Sequence, residues 1–220
     1  LLDKSAATLS LDSLGLSPDT VEKLRRSIRR PNGVTLVTGP TGSGKTTTLY
    51  SALRDILTAE LKFVSVEDPV EYQIDGVSQI QVKASIDLTF AKALRSILRQ
   101  DPDVLMIGEI RDRETATIAI EAALTGHQVL STLHTNNAPA TITRLMEMGV
   151  PEYLIGSTLS SVSAQRLVRN LCPSCTEPYE PSSALLARIP GAAHLVGAQF
   201  RRPVGCNACR GTGYRGRASI

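Results

Sequence analysis

The stretch from Gly39 to Thr46, which reads GPTGSGKT, has the residue types of a phosphate-binding loop. It follows an apolar run, Val34–Val37, and leads into a predicted helix over residues 46–59, the strand–loop–helix context that this motif requires. Glycines let the backbone turn its N–H groups towards a phosphate chain. The positive end of the helix dipole, at the start of the helix, also favours an anion there. An ordinary Gly/Ser turn is the alternative interpretation, but the full pattern favours a nucleoside triphosphate.

Two side chains of this loop are candidates for the chemistry itself. Lys45 is long enough to reach the β- and γ-phosphates, and the Thr46 hydroxyl can bind Mg²⁺. The predicted nucleotide contacts come from the loop and the helix start, and they are Gly39, Pro40, Thr41, Gly42, Ser43, Gly44, Lys45, Thr46 and Thr47.

Three carboxylates, Glu67, Asp68 and Glu71, follow a second apolar run over residues 61–66. An enzyme with a phosphate-binding loop needs one acid to orient or deprotonate the attacking water and others to hold Mg²⁺. A turn made by Asp68-Pro69 with solvated acids is the alternative.

A third candidate segment, Gly108–Asp112, follows the most apolar run, Val104–Ile107. Gly108 stands where a typical Walker B segment has Asp, so only Glu109 is placed there to serve Mg²⁺. Arg111 and Arg113 could act within one subunit or reach a neighbouring one, or could simply form a surface charge cluster. Two further arginines share a face of a predicted helix over residues 88–100, namely Arg95 and Arg99.

Two histidines flank the predicted strand over residues 128–133. His134 follows its end and could sense the γ-phosphate through hydrogen bonds, which makes it a candidate catalytic residue. His127 precedes the strand, so we expect it at the opposite edge of the sheet, packed or in contact with a neighbour.

The four cysteines of the chain form two C-x₂-C pairs, Cys172/Cys175 and Cys206/Cys209. Four thiolates supply the tetrahedral sulfur shell of a structural Zn²⁺ site, which leaves no coordination position open. The gap between the pairs is longer than in common zinc ribbons, so a loop-rich insert must lie there. A redox pair or free thiols are the alternatives, whereas a disulfide-stapled secreted domain is disfavoured.

Composition and charge narrow the class of protein. The chain of 220 residues is 42% apolar and 20% charged, as expected of a globular protein with a substantial core. No apolar run approaches the roughly 20 residues of a membrane span, and the first residues lack the features of a signal peptide. From Ala164 onwards there are eight Arg, no Lys and two acids, a net charge of +6 that could meet nucleic acid, an acidic partner or anionic lipid.

Apolar runs alternate with helical patterns along the chain, which predicts a mostly parallel, doubly wound α/β sheet. Helix-start signals stand at Ser17, Asp87, Asp112 and Asn137, and residues 77–82 read as an edge strand or hairpin. Two further helices are expected over roughly 151–158 and 160–170. The phosphate-binding loop, the acids and His134 all follow strand ends, where such sheets bind ligands.

Taken together, these segments resemble one family over nearly the whole chain. Residues 38–48, 66–71, 99–112 and 132–136, followed by the cysteine pairs, look like the type II secretion and type IV pilus assembly ATPases. Asp75-Gly76 and the cysteine insert look most like the type II secretion members, and the pilus assembly members are the near alternative.

This resemblance implies an α/β fold with a RecA-like P-loop ATPase core and a small C-terminal tetracysteine zinc-binding subdomain. The implied core covers residues 17–165. Residues 1–16 would be the leading segment of a truncated N-terminal region, and residues 166–220 a helical lead-in and the zinc subdomain, truncated at the C-terminus. Since both ends read as cut, the chain is expected to be part of a longer protein.

The resemblance also assigns roles to residues of this chain. Lys45 and Thr46 would be the Walker A residues, and Glu67, with Asp68 and Glu71, would form the Asp box. Glu67 would be the general base. Glu109 would be the Walker B acid and help to hold Mg²⁺, with the Gly108 departure shared by the family, and the His box would consist of His127 and His134.

For the whole protein, the resemblance implies ATP, Mg²⁺ and Zn²⁺ as ligands and a hexameric ring. The ring would lie peripherally on the cytoplasmic face of the bacterial inner membrane, where it would drive a pseudopilus or pilus through a membrane platform protein. The family's N-terminal domains, which bind the recruiting membrane partner, are not part of this sequence. A nucleic-acid motor with a zinc ribbon is the alternative of a different class, motivated by the basic tail, but that tail has few aromatic residues for base stacking.

Overall fold

The computed structural model describes residues 10–189, 192–195 and 198–220. These residues form two compact units. The first unit ends at Leu167 and includes Ser219 and Ile220, and the second unit is Val168–Ala218. The chain therefore leaves the first unit once and returns to it.

A six-stranded sheet organises the first unit, in the order β3-β2-β4-β5-β1-β6. Every pairing in it is parallel, which confirms the predicted parallel α/β sheet. The central strands are buried along their whole length, as their apolar sequences require. The strands are β1 Gly33–Thr38, β2 Phe63–Glu67, β3 Val77–Gln81, β4 Val104–Ile107, β5 Gln128–Leu133 and β6 Leu159–Ala164.

Helices cover both faces of this sheet because side chains that alternate along each strand need apolar partners on both sides. Val34 and Leu36 of β1 belong to one buried cluster, whereas Val37 packs with Leu49 and Leu53 in the other. The first cluster includes residues of α3, α4, α5 and α6, and the second includes residues of α1 and α2. The helices are α1 Pro18–Ile28, α2 Lys45–Ile56, α3 Phe90–Ile97, α4 Arg113–Leu124, α5 Ala138–Glu147 and α6 Glu152–Thr158.

Three of the four predicted helix starts are confirmed. The side chains of Ser17, Asp112 and Asn137 each accept a hydrogen bond from a backbone N–H three residues on. Asp87 was a wrong choice, since its φ of 57° is left-handed and it closes a short 3-10 turn. The cap is Thr89, whose backbone is extended and whose side chain accepts from the N–H of Lys92.

The predicted helix over residues 160–170 is wrong. Residues 159–164 form strand β6, which pairs with β1 and closes one edge of the sheet. Ser and Val are weak helix formers, and the backbone of β1 would lack partners on this side without β6. The Ser161 hydroxyl also accepts a hydrogen bond from the Ser27 hydroxyl of α1 at 2.7 Å. The expected helical lead-in of the second unit is likewise a strand, β7, Leu167–Leu171.

The second unit contains short elements and little apolar core. β7 pairs with β10, and β8 pairs with β9. In the part of this unit that the structure describes, the buried hydrophobic side chains are Cys172, Cys209 and Ala192. Among these described residues, burial of apolar surface therefore contributes little to the stability of the unit. Its remaining elements are β8 Glu177–Tyr179, α7 Ser183–Ala187, β9 Phe200–Arg202 and β10 Tyr214–Ser219.

Candidate nucleotide site and cysteine cluster

The predicted phosphate-binding loop lies between the end of β1 and the start of α2. Gly44 caps α2 with a φ of 87°, and a Cβ built on it would meet the Nε2 of Gln165 at 2.9 Å. Gly39 has a φ of 149°, and its Cβ would meet the Gln165 carbonyl oxygen at 2.4 Å. Both positions therefore need glycine, for conformation and for space.

Lys45 is folded back onto this loop. Its Nζ donates to the carbonyl oxygens of Gly39 and Pro40, both at 3.1 Å, and the side chain is buried. Burial lowers the pKa of Lys45, and the negative charge of Glu109 opposes that shift. The hydroxyl of Ser43 is buried without a hydrogen-bond partner among the described residues. A cation and an unpartnered donor thus face a loop built to surround an anion, and these residues fit a polyphosphate.

Gln165, which the sequence analysis missed, holds this loop from the end of β6. Its Oε1 accepts from the Thr48 hydroxyl at 2.8 Å, and its Nε2 donates to the Ser43 carbonyl at 2.9 Å. Its backbone N–H donates to the carbonyl of Thr38 at 2.8 Å. No local signal marked this residue, because its role depends on β6 lying beside β1.

Glu67 stands at the end of β2 and is 2% exposed. Its Oε2 accepts from the Tyr50 hydroxyl, and its Oε1 accepts from the Ser65 hydroxyl and from Gln79 Nε2 at 2.9 Å. Three neutral donors therefore compensate the burial of this carboxylate. Tyr50, Ser65 and Gln79 were not predicted, although Ser65 lies two residues before Glu67 and so shares its side of the strand.

The other two acids of this segment are placed differently. Asp68 is exposed, and its carboxylate meets Nη1 of Arg111 at 3.3 Å. The Glu71 side chain is half-buried, and its backbone N–H donates to the Tyr50 hydroxyl at 3.3 Å. The three carboxylates therefore do not form one cluster, since Glu67 is buried while Asp68 joins the neighbouring strand end.

Glu109 forms a charged network with two of the predicted residues. Its Oε1 accepts from Arg111 Nη2 at 2.5 Å, and its Oε2 lies 3.1 Å from His134 Nε2. The hydrogen bond from Arg111 is the main cause that lowers the pKa of Glu109, against the opposing effect of partial burial. Arg111 thus bridges Glu109 and Asp68, and the structure brings together residues from the ends of β2, β4 and β5.

Of the four predicted arginines, only Arg111 pairs with these carboxylates in the part of the chain that the structure describes. Arg95 pairs with Glu114 at 2.5 Å on the surface of α3 and α4. The Arg113 guanidinium lies against Gly149, and Arg99 is exposed after the end of α3. His127 lies at the amino end of β5, as expected, with its Nδ1 2.9 Å from the Ala122 carbonyl.

The four cysteine sulfurs of the second unit lie within 4.8 Å of one another. Cys172 and Cys206 are 3.9 Å apart, and Cys175 and Cys209 are 3.8 Å apart. A tetrahedral metal with metal–sulfur bonds of about 2.3 Å separates its sulfurs by about 3.8 Å. These distances fit a four-thiolate metal site.

Backbone donors prepare one of these sulfurs for a metal. Cys209 Sγ accepts from the N–H groups of Cys206 and Gly213 at 3.1 and 3.2 Å. Burial acts to raise the pKa of Cys209, but these donors and the neighbouring thiols outweigh it and bring the pKa to about 6. The thiolate, which is the metal-binding form, is therefore favoured at this position.

In the described ranges, we find no helix with both the length and the apolar character needed to cross a bilayer.

A comparison of the sequence with known families covers the whole chain. The family described as "Type II/IV secretion system protein" matches residues 1–220. The chain belongs to this family. The membership in this family that the sequence motifs predicted is thereby confirmed.

Similar members of the Type II/IV secretion system family are known by name. "Type II secretion system ATPase E" of Vibrio cholerae is 52% identical over 220 residues, which is 100% of this chain and 44% of that protein. "Type II secretion system protein E" of Pseudomonas aeruginosa is 53% identical over 223 residues, again 100% and 44%. The chain thus spans less than half the length of the curated relatives it matches.

Solved structures of similar proteins share this fold. A crystal structure of the pilus retraction motor PilT with bound ADP matches with a TM-score of 0.67 and 37% identity, over 75% of this chain and 50% of that one. The VirB11 ATPase of Brucella suis, solved with sulphate, has a TM-score of 0.59 and 26% identity, over 76% and 52%.

Proposed function

We propose that this chain is the ATP-hydrolysing part of a type II secretion motor, which uses ATP binding and hydrolysis to drive pseudopilus assembly and protein export. The observation that carries the proposal is the meeting of the glycine loop, buried Glu67 and the Glu109 network at one edge of a parallel sheet. The name of the Vibrio cholerae relative, a type II secretion system ATPase, supports it.

In this proposal the residues 39–47 surround the phosphate chain, and Lys45 exchanges its two loop carbonyls for phosphate oxygens. Thr46, Glu109, Asp68 and Glu71 would hold Mg²⁺, directly or through water. When bound, the ion neutralises charge on the transferred phosphoryl group. Arg111 pairs with Glu109 and Asp68, two of these proposed ligands.

Glu67 is the proposed general base for the attacking water. Its burial keeps competing solvent away, and its three donors keep the carboxylate in one orientation. His134 is proposed to contact the γ-phosphate from its place beside Glu109. Arg95, Arg99 and Arg113 lie outside this site and are proposed to contact nucleotide bound by a neighbouring subunit.

The cysteine cluster is proposed to hold a structural Zn²⁺. Four thiolates close the coordination shell, so the ion supplies folding energy and takes no part in hydrolysis. The near absence of apolar core in this unit supports that role.

For the whole protein we propose a hexameric ring on the cytoplasmic face of the inner membrane, with a membrane platform protein and a recruiting protein as partners. The names of the type II secretion relatives support this setting. Type IV pilus assembly is the second candidate, since the pilus retraction motor shares the fold. Identity of 37% with that motor, against 52% with the secretion ATPase, favours secretion.

The test is ATP turnover by the full-length Glu67→Gln variant. We expect turnover to fall by about 10²- to 10⁴-fold because a general base is removed, while ATP affinity changes by less than about twofold. Lys45→Ala is the matched control and should lose ATP binding itself. Retained turnover in Glu67→Gln would contradict the assignment of the base, and no turnover in the unchanged protein at any subunit concentration would contradict the proposed ATPase.

A further inference from the structure

Tyr50 stands out among buried residues of the first unit, because its polar atom is committed to the proposed base. It is 1% exposed, and its ring packs edge-on against Tyr72 with centroids 4.5 Å apart. Its hydroxyl donates to Glu67 Oε2 and accepts from the backbone N–H of Glu71. One hydroxyl thus fixes both the carboxylate and the loop that follows β2.

The other two donors to Glu67 lie on strands, whereas Tyr50 lies on a helix. Ser65 lies on β2 itself, and Gln79 lies on the adjacent strand β3. Both hold Oε1 and tie the carboxylate to its own edge of the sheet. Tyr50 is the only described donor to Oε2, and it is the only one of the three that comes from a helix.

That helix is α2, which begins at Lys45. Tyr50 is five residues after Lys45, about 7.5 Å along the helix axis. Lys45 and Tyr50 are therefore held on one rigid element, whose start receives the phosphates and whose second turn holds Glu67. A hydrogen bond from Tyr50 thus links this helix to the proposed base.

Burial raises the pKa of Tyr50, and the hydrogen bond to Glu67 raises it further. The hydroxyl therefore keeps its proton near neutral pH, and it acts towards Glu67 as a donor.

We propose that Tyr50 is a positioning residue for ATP hydrolysis, which orients the Glu67 carboxylate and couples it to the phosphate-binding helix. The inference rests on the proposed function, because it requires Glu67 to be the base. Tyr50 itself touches no reacting atom in this proposal. A merely structural role in the core is the competing explanation, and Tyr50→Phe separates the two because it keeps the ring and removes only the hydroxyl.

The experiment compares steady-state kinetics of the full-length protein with Tyr50→Phe and Ser65→Ala. We expect kcat of Tyr50→Phe to fall by about tenfold or more, which is less than the fall expected for Glu67→Gln. The KM for ATP should stay within about twofold. Ser65→Ala should lose less, because Gln79 still donates to Oε1. Tyr153→Phe, on the surface of α6 with 74% exposure, should match the unchanged protein.

A double-mutant cycle completes the test. In the Glu67→Gln background Tyr50→Phe should cause no further loss of kcat, because a residue that acts through Glu67 has nothing left to position. Equal losses in the two backgrounds, an unchanged kcat, or a loss no larger than that of Ser65→Ala would overturn the inference. If Tyr50→Phe melts below the assay temperature, both proteins are assayed at a lower temperature at which the variant is folded, and an unchanged kcat there would overturn the inference in the same way.

Failure of this inference and failure of the proposed function give different results. If the unchanged protein hydrolyses ATP and Tyr50→Phe has the same kcat, only the proposed role of Tyr50 is overturned. An unchanged protein without turnover overturns the proposed function and, with it, the role of Tyr50.

Discussion

The nucleotide site and the cysteine cluster are organised by different forces. The nucleotide site draws its residues from the ends of β1, β2, β4, β5 and β6, and it rests on a sheet whose central strands are fully buried. The cysteine cluster comes from two short C-x₂-C turns in a unit with few buried apolar side chains. The residues of the nucleotide site are brought together by the parallel sheet. For the second unit, we expect the fold to depend on the metal proposed for its cysteines.

The two sites should respond differently to loss of their proposed ligands. In the nucleotide site, Lys45 bonds to its own loop and Arg111 pairs with Glu109 and Asp68, so groups of the protein itself support the site. In the cysteine cluster, four thiols lie within 4.8 Å of one another, and the described residues of this unit bury few apolar side chains. We therefore expect metal loss to unfold the second unit, and nucleotide loss to leave the first unit folded.

The largest effect should come from Cys172→Ser. Removal of one of the four thiolates should release the metal, so that the metal content falls from about one ion per chain to nearly none. The second unit should then become sensitive to protease, while ATP affinity stays within about twofold. Metal analysis and limited proteolysis of the full-length protein measure both effects.

Ser174→Ala is the matched control for that change, since it lies between the two cysteines of the same turn and is exposed. It should keep the metal. Unchanged metal content in Cys172→Ser would end the claim that these cysteines form one metal site, and redox or free-thiol chemistry would become the better account.

A smaller effect should follow from Gln165→Ala, at the nucleotide site. The change leaves the buried Thr48 hydroxyl and the Ser43 carbonyl without their partner. Loss of such bonds costs about 1–3 kcal/mol of unfolding free energy, and we expect ATP affinity to drop several-fold because the loop loses its support. Urea unfolding and ATP titration check this, with the exposed Gln73→Ala as the control. Full stability in Gln165→Ala would show that the loop does not need this support.

The sequence predicted those parts of both sites that have local signatures. The sequence predicts the glycine loop, the cysteine pairs and three helix caps because each is defined by residues a few positions apart. Glu67 and Glu109 could be placed at one edge of the sheet because parallel strands end together.

The missed residues are those whose partners are far away along the chain. Gln165 meets Thr48 across 117 positions, and only the order of strands in the sheet brings them together. Tyr50 reads as an ordinary apolar residue of α2, and nothing near it shows that its hydroxyl faces Glu67. The error over residues 160–170 has the same origin, since pairing with β1 decides the conformation of β6.

The smallest effect concerns the pH dependence of the Glu109 network. Because the folded protein lowers the pKa of Glu109 below its ordinary value of 4.5, this group stabilises the fold above that pH. The contribution is lost as the pH falls through the lowered pKa. Since Arg111 and His134 are largely exposed, we expect it to be below about 1 kcal/mol.

Urea unfolding of the unchanged protein and of Glu109→Gln, between pH 6 and pH 3, isolates this contribution. The difference in unfolding free energy between the two should be constant near pH 6 and should shrink as the pH falls below 4.5. A difference that does not vary with pH would mean that solvent screens the pairing of Glu109 with Arg111, and that packing alone preserves this edge of the sheet.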